Sequence, residues 1–450
     1  MLRLIFADLV ANARIWLGVF ALTVTAGGIG GIAASLTESG IVAGGAVQEG
    51  LAGITAAVAV FSGVTALAVL GSTATLTVTL QQRGYALWQL VGIPPTMIGL
   101  VVLAQLFVVA VIGATVGSLA VSPAVAPFFS YVFAGQNDLE GVRVHYGAVS
   151  VGWVILAVAG VVVLGGLRSA RRASRVGAIE ALREPEPARL RMGWLRCLLA
   201  AGLLAGVVGM SAGMAGSSFS TVSSQVMLLS PLVAALFTAL GPVLFPVVLR
   251  GWTALVPPRA SASWFLARNS ARYRLSQSTA AISPLLVGIA LTGGLYSAAS
   301  TLAAALELQT GRTAGYDLAP EGVVMLLGGP LLLAAVAAAA TVFMSGHARE
   351  RDFALLQAAG AGQGTIIAAA AWEAVIYVVT ATILGGAVVV AGGLVTAAAL
   401  STIIPGVAPV FALGPPALVA GCGLVLVAAA TVLPTVTALR RDIARTLAAE

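Results

Sequence analysis

The stretch RERDFALLQAAGAG, Arg349 to Gly362, is a short charged and amphipathic piece between two long apolar runs, and QQRGYALWQLVGIP, Gln81 to Pro94, echoes it 268 residues earlier. At that offset Arg83 meets Arg351, Ala86 meets Ala354, Leu87 meets Leu355, Gln89 meets Gln357, Gly92 meets Gly360 and Ile98 meets Ile366. Tyr85 meets Phe353 and Gln105 meets Glu373, both conservative exchanges. Tyr85, Leu87, Trp88, Leu90 and Val91 in the first copy, and Phe353, Leu355, Leu356 and Ala359 in the second, recur at helical spacing. Each copy is therefore expected to form a short amphipathic helix at a membrane interface. Gly92 and Gly360 stand where such a helix ends in the left-handed conformation that glycine adopts at little cost. Pro94-Pro95 and Gly362 to Gly364 then form an elbow into the next apolar run.

Those runs set the fold class. Of 450 residues 59% are hydrophobic and only 9% charged, with a mean hydropathy of +1.04, whereas a soluble domain carries roughly 25% charge. Apolar runs of about 20 residues or more cross a hydrocarbon core of about 30 Å as helices, and the period-two alternation of a membrane barrel is absent. The expectation is an all-α integral membrane protein with about ten transmembrane helices, at 15–36, 53–79, 97–120, 148–167, 197–215, 227–249, 279–302, 323–345, 366–400 and 409–436. The repeated pieces fall in the turns after the second and eighth spans. That position divides the chain into a four-helix module at 1–185, a linker helix pair at 186–257 and a second four-helix module at 258–450. Both modules begin and end on the same side, so the repeat is parallel, about an axis along the membrane normal. Each module enters the membrane through an arginine-bearing segment, ADLVANARIW and LARNSARYRLSQS. Each first helix carries a glycine pair, Gly27-Gly28 and Gly293-Gly294, expected to pack the module cores against each other.

The net charge of +7 comes entirely from arginine, since all 23 basic residues are arginine and there is no lysine. With the N-terminus inside, only Arg143 and Arg312 lie outside. The positive-inside rule then places both termini in the cytoplasm, and the basic excess reports topology, with no nucleic-acid partner implied. Arginine without lysine in an alanine- and glycine-rich chain points to a GC-rich, actinobacterial source and hence to a bacterial plasma membrane.

The same missing lysine excludes a Walker A loop, which needs that side chain to reach the β- and γ-phosphates. ATP hydrolysis must come from another polypeptide, and two symmetric docking helices suit a dimeric ATPase. His145 and His347 alone do not make a metal site, and no nucleophile elbow or triad is present, so no catalytic residue and no metal is assigned. Cys197 and Cys422 are expected to be small packing residues in their spans. Six of the seven tryptophans sit near the cytoplasmic ends of spans, as an interfacial belt does. Glu373 is the single acid within a span, where a carboxylate is costly. It is expected to tie the second repeated piece to span nine through an arginine such as Arg349 or Arg351, with Gln105 as its uncharged counterpart.

The pattern (R/Q)-x-R-x-(Y/F)-A-L-(W/L)-Q-x-x-G before a long apolar helix, with the basic tail ending GAIEALRE, resembles the FtsX-like permease family. These are the membrane subunits of MacB-type, or type VII, ABC transporters. The layout is similar to ten-helix BceB-type permeases, in which one chain acts as a fused pair and recruits two ATPase subunits. The resemblance implies that Arg83, Tyr85, Leu87, Trp88, Gln89 and Gly92, with Arg349, Arg351, Phe353, Leu355, Leu356, Gln357 and Gly360, are the ATPase-coupling segments. It also implies that ATP and Mg²⁺ are held by the partner ATPase dimer and that this chain binds no cofactor. The cargo so implied is an amphiphilic drug, antimicrobial peptide or lipid, exported or extracted from the bilayer. The family's large extracellular domain is missing: the loops that would hold it are only 37–50 and 303–322, and the largest outer loop is 121–147. Two other readings stay open. An ion-gradient carrier would use helix breaks such as Gly241-Pro242 and Pro284, and a non-transporting mechanotransmitter would regulate a cell-wall enzyme.

Overall fold

In lipid a backbone polar group finds a partner only inside its own helix or a closed barrel, and the computed structural model is correspondingly helical, with no strand among the described residues. It describes residues 8–134, 144–173, 192–214, 217, 219–257, 261–311 and 318–439. The side chains of Arg83, Arg349, Arg351 and Phe353, and the tail GAIEALRE, lie outside the described residues. The helices are α1 (Ala13–Ala43), α2 (Gly45–Leu80), α3 (Gln82–Leu90), α4 (Pro95–Val132), α5 (Ala148–Ala173), α6 (Trp194–Gly213), α7 (Phe219–Ala239), α8 (Gly241–Leu255), α9 (Ala262–Tyr273), α10 (Leu275–Thr310), α11 (Pro320–Ala358), α12 (Gln363–Ser401) and α13 (Gly414–Leu439). All but α3, α8 and α9 contain a stretch long and apolar enough to cross a membrane, which makes ten among the described residues. The protein is an all-α, multi-pass membrane protein.

Several helices run further than the apolar runs alone suggested. Helices α2, α4, α10, α11 and α12 have 36 to 39 residues, about 54–58 Å at 1.5 Å per residue. The expected loop 37–50 shrinks to Gly44, at φ +69°, between α1 and α2. Likewise α4 continues to Val132 and α10 to Thr310. These extensions persist because they are apolar and pack together: Leu36, Leu51, Val58, Val125, Phe129 and Val132 form a cluster closed by Met325 from α11. The expected span at 227–249 is instead split at Leu240 between α7 and α8. Pro242 lies in the first turn of α8, where a missing N–H costs nothing, while inside a continuous helix it would remove a bond.

In the first half α1 packs on α2, α4 and α5, and in the second α10 packs on α11, α12 and α13. Across the halves α2 meets α11, α1 meets α11 and α10 meets α2. These contacts map onto themselves when the halves are exchanged about an axis between α2 and α11. Helix α7 breaks the symmetry by packing on both α10 and α12. As a result nearly every residue of α10 from Ala280 to Leu295 is buried, as a helix apolar on all sides should be.

The glycine pairs pack within their own half or against the linker, which corrects the expectation that they join the two cores. A Cβ on Gly27 would stand 2.6 Å from the Ala114 carbonyl oxygen, and one on Gly117 1.9 Å from that of Val24, so α1 and α4 touch backbone to backbone. In the second half Gly293 lies against Val389, and Gly294 leaves the room that Ser230 of α7 fills. Small residues permit such approaches where no hydrophobic force separates protein from lipid. Cys197 and Cys422 are exposed on their helices, so they are not the buried packing residues expected.

Candidate functional site

The first repeated piece is a separate nine-residue helix, α3, set off from α2 by Gln81. The second is not separate: it forms the last turns of α11, which runs unbroken from Pro320 to Ala358. Local sequence accounts for the difference. Helix α2 ends in the β-branched run Thr77-Val78-Thr79 and α3 contains Gly84, all weak helix formers, whereas Ala348 to Arg351 are strong ones.

Beyond that point the two copies coincide. Ile93 donates its N–H to the Trp88 carbonyl and Gly92 to that of Gln89, each at 3.0 Å; Ala361 donates to Leu356 and Gly360 to Gln357, each at 2.9 Å. Gly92 has φ +95° and Gly360 φ +91°, the left-handed close that this crossed pair of bonds demands. The next residues are extended, Pro94 at φ −66°, ψ 145° and Gly362 at φ −67°, ψ 149°. Helix then resumes at Pro95 and Gln363, and one turn on Ile98 and Ile366 are both buried. Each elbow thus has the same three parts: a capped helix end, an extended link and a buried anchor.

The structure sorts the expected coupling residues by face. Tyr85 is buried, its ring 5.5 Å from that of Trp88 in an edge-on contact. Trp88, Gln89, Leu356 and Gln357 are half-buried. Leu87 and Leu355 stand at equivalent positions and are each 53% exposed, beside exposed Leu90 and Val91 in the first copy and Ala358 and Ala359 in the second. The outward face of each elbow is therefore apolar, with Gly92 and Gly360 at its edge.

Deeper in the bundle, Gln105 donates from Nε2 to Asp8 Oδ2 at 2.8 Å. Glu373 Oε1 accepts from the Tyr377 hydroxyl at 2.5 Å and from Ser270 Oγ at 3.4 Å. Both residues are buried. The partners expected for Glu373, Arg349 and Arg351, have side chains outside the described residues, whereas Ser270 of α9 was not expected from sequence. Asp8 was also missed, though a single acid in an arginine-bearing entry segment was the available signal.

Residues 324–443 match the FtsX-like permease C-terminal family model. The matched segment holds most of α11, the whole second elbow, Glu373 and the helices that follow. The match is consistent with an FtsX-like permease and supports a membrane permease component of an ABC-type system. No curated protein gives a significant match to the chain.

The linker joins this half through aromatic side chains. Trp264 of α9 lies 6.0 Å from Trp252 of α8 and 5.4 Å from Trp372 of α12, and Trp252 Nε1 donates to Thr380 Oγ1 at 2.9 Å. Three of the expected belt tryptophans are thus a packed cluster. Arg272 closes the same corner, donating from Nη2 to the Arg250 carbonyl at 2.9 Å and to Thr253 Oγ1 at 2.8 Å, a cation at the C-terminal end of α8. Among the described residues no three histidine, cysteine or carboxylate groups gather as a metal would require.

Proposed function

We propose that the chain is the permease subunit of an ABC-type transporter that works by docking a dimer of separate ATPase subunits on its two elbows. The observation that carries this reading is the pair of matching corners, each presenting an exposed leucine, Leu87 and Leu355, on a capped apolar helix face. Lying in the turns between spans and not along them, these apolar faces are placed to meet a partner at the membrane surface. ATP and Mg²⁺ belong to that partner, because a chain with no lysine cannot build the usual phosphate loop. With the elbows cytoplasmic, as the arginine distribution favours in a bacterial plasma membrane, closure of the ATPase dimer pushes the elbows and tilts α4 and α12. The two four-helix modules, 1–185 and 258–450, then move about the axis between α2 and α11. The cargo we favour is an amphiphile taken from the bilayer, a drug, antimicrobial peptide or lipid, moved outward by a type VII mechanism.

The test is co-purification with an ABC ATPase co-expressed from the source genome, using wild type and the Leu87→Asp, Leu355→Asp double variant. Burying an unpaired carboxylate in each apolar contact is expected to abolish complex formation and reduce permease-dependent ATPase activity at least tenfold, with normal membrane insertion. An ATPase that never associates, or a double variant that couples like wild type, rejects the reading.

A further inference from the structure

Behind the two elbows, polar residues buried on the spans meet half-buried ones on the entry segments, in corresponding contacts that the docking faces do not use. In the first half Asp8 sits in a helical turn ahead of α1. Its Oδ2 accepts from Gln105 of α4 at 2.8 Å and its Oδ1 from Asn12 at 3.0 Å. Tyr85 of α3 turns inward to the same place and donates its hydroxyl to Gln81 Oε1. Burial, and after it the nearby Asp8 carboxylate, push the Tyr85 phenol well above its ordinary value, so it remains a neutral donor. One donor and one acceptor are left over, Gln81 Nε2 and Gln105 Oε1.

In the second half Glu373 of α12, 268 residues after Gln105, holds Tyr377 of its own helix at 2.5 Å and accepts a longer bond, 3.4 Å, from Ser270 of α9, the segment that leads into α10. The two contacts join the same pair of elements, the entry segment of the first helix and the span after the elbow. Each contains one carboxylate, but on opposite sides: the entry segment supplies it in the first half and the span supplies it in the second. Hydrogen bonds to a carboxylate in apolar surroundings are strong, and breaking one strands a buried charge. We propose that Asp8–Gln105 and Ser270–Glu373 are a pair of transmission joints, positioning contacts that make the entry segments of α1 and α10 move with the elbows. This rests on the permease reading, since it supplies the route by which one docking event drives two helices in each half.

The swapped carboxylate gives the test. Gln105→Glu sets two carboxylates against each other, and adding Asp8→Ser restores a single one in the arrangement of the second half. Amide hydrogen exchange is read on the full chain alone, in lipid nanodiscs, over residues 8–13 and 95–105. Gln105→Glu is expected to speed exchange in both segments about tenfold, and the Asp8→Ser, Gln105→Glu pair to bring both back to near wild type. The mirror pair, Ser270→Asp with Glu373→Gln, is expected to behave as wild type over 262–273. If Gln105→Glu does not insert, Gln105→Met removes the bond without adding charge and should speed the same two segments. Exchange that rises in neither segment, or that the swap leaves elevated in a folded protein, overturns the joint. With the ATPase added, Gln105→Glu should still assemble but lose stimulated hydrolysis, and the swap should regain it. If even wild type fails to assemble, the permease reading falls while the exchange result still decides the joint.

Discussion

Gly360 and Gly362 look interchangeable in the sequence AAGAGQG, yet their backbones ask for different things. Gly360 holds φ +91°, a region where a side chain costs about 1–2 kcal/mol. Gly362 holds φ −67°, the angle that Pro94 takes at the first elbow and that any residue adopts. Gly360→Ala is therefore expected to lower the midpoint of thermal unfolding by a few degrees and Gly362→Ala to leave it unchanged; a scan of both in one detergent decides it, and equal effects would contradict the capped-corner geometry. Gly92 and Gly360 were readable because helical spacing ends at each. Gln105 and Glu373 were readable because a polar residue in an apolar run stands out and the offset pairs them. Their partners were not, since Asp8 lies 97 residues from Gln105 and Ser270 lies 103 from Glu373. Local pattern carries no information about which distant segment folds back to meet a buried polar group.

Between elements the decisive feature is how closely α1 and α4 approach. Gly117 has the Val24 carbonyl where its Cβ would be, at 1.9 Å, whereas Gly206 on α6 has nothing within 4 Å. Gly117→Val must push two backbones apart and is expected to cost at least about 3 kcal/mol, the upper end for overpacking. Gly206→Val faces open space and should be tolerated. Yield of monodisperse protein after detergent extraction separates them, and a well-behaved Gly117→Val would mean the crossing is looser than described. The number of helices was legible because runs of twenty apolar residues have one stable form in lipid. Their ends were not. Glycines and acids such as Glu38, Gly40 and Glu49 mark a loop by composition, but all three are helical because Leu36 and Leu51 on either side bury against α4. The unbroken α11 escaped for the opposite reason: the charged residues that mark an interface, Arg349 to Arg351, are also good helix formers in an alanine-rich setting.

At the scale of the whole molecule, the contacts among α1, α2, α4 and α5 recur among α10, α11, α12 and α13, whereas α7, α8 and α9 pack on α10 and α12 with no counterpart over α1 and α4 among the described residues. The halves themselves meet through α2, α11, α1 and α10, in an apolar seam where Met344 fits against Gly18 and accepts from Thr77 at 3.8 Å, and Gly329 lies against Ile29 and Ser62. Nothing in that seam depends on the chain being continuous between the halves, whereas α7 packs chiefly on the second half. A chain divided after Arg183 and co-expressed as two pieces should therefore reassociate in the membrane, with a tag on the first piece retaining the second. Met344→Trp, which cannot fit beside Gly18, should weaken that recovery severalfold while leaving each piece inserted. If the divided pieces never meet, the linker contributes to holding the halves together and the seam is weaker than its packing implies. If they meet and also support the activity of the docked ATPase, the two elbows need only be held at the right separation. The linker's task would then be to pack α7 beside α10 and so hold the second half as the fixed partner against which the first half moves.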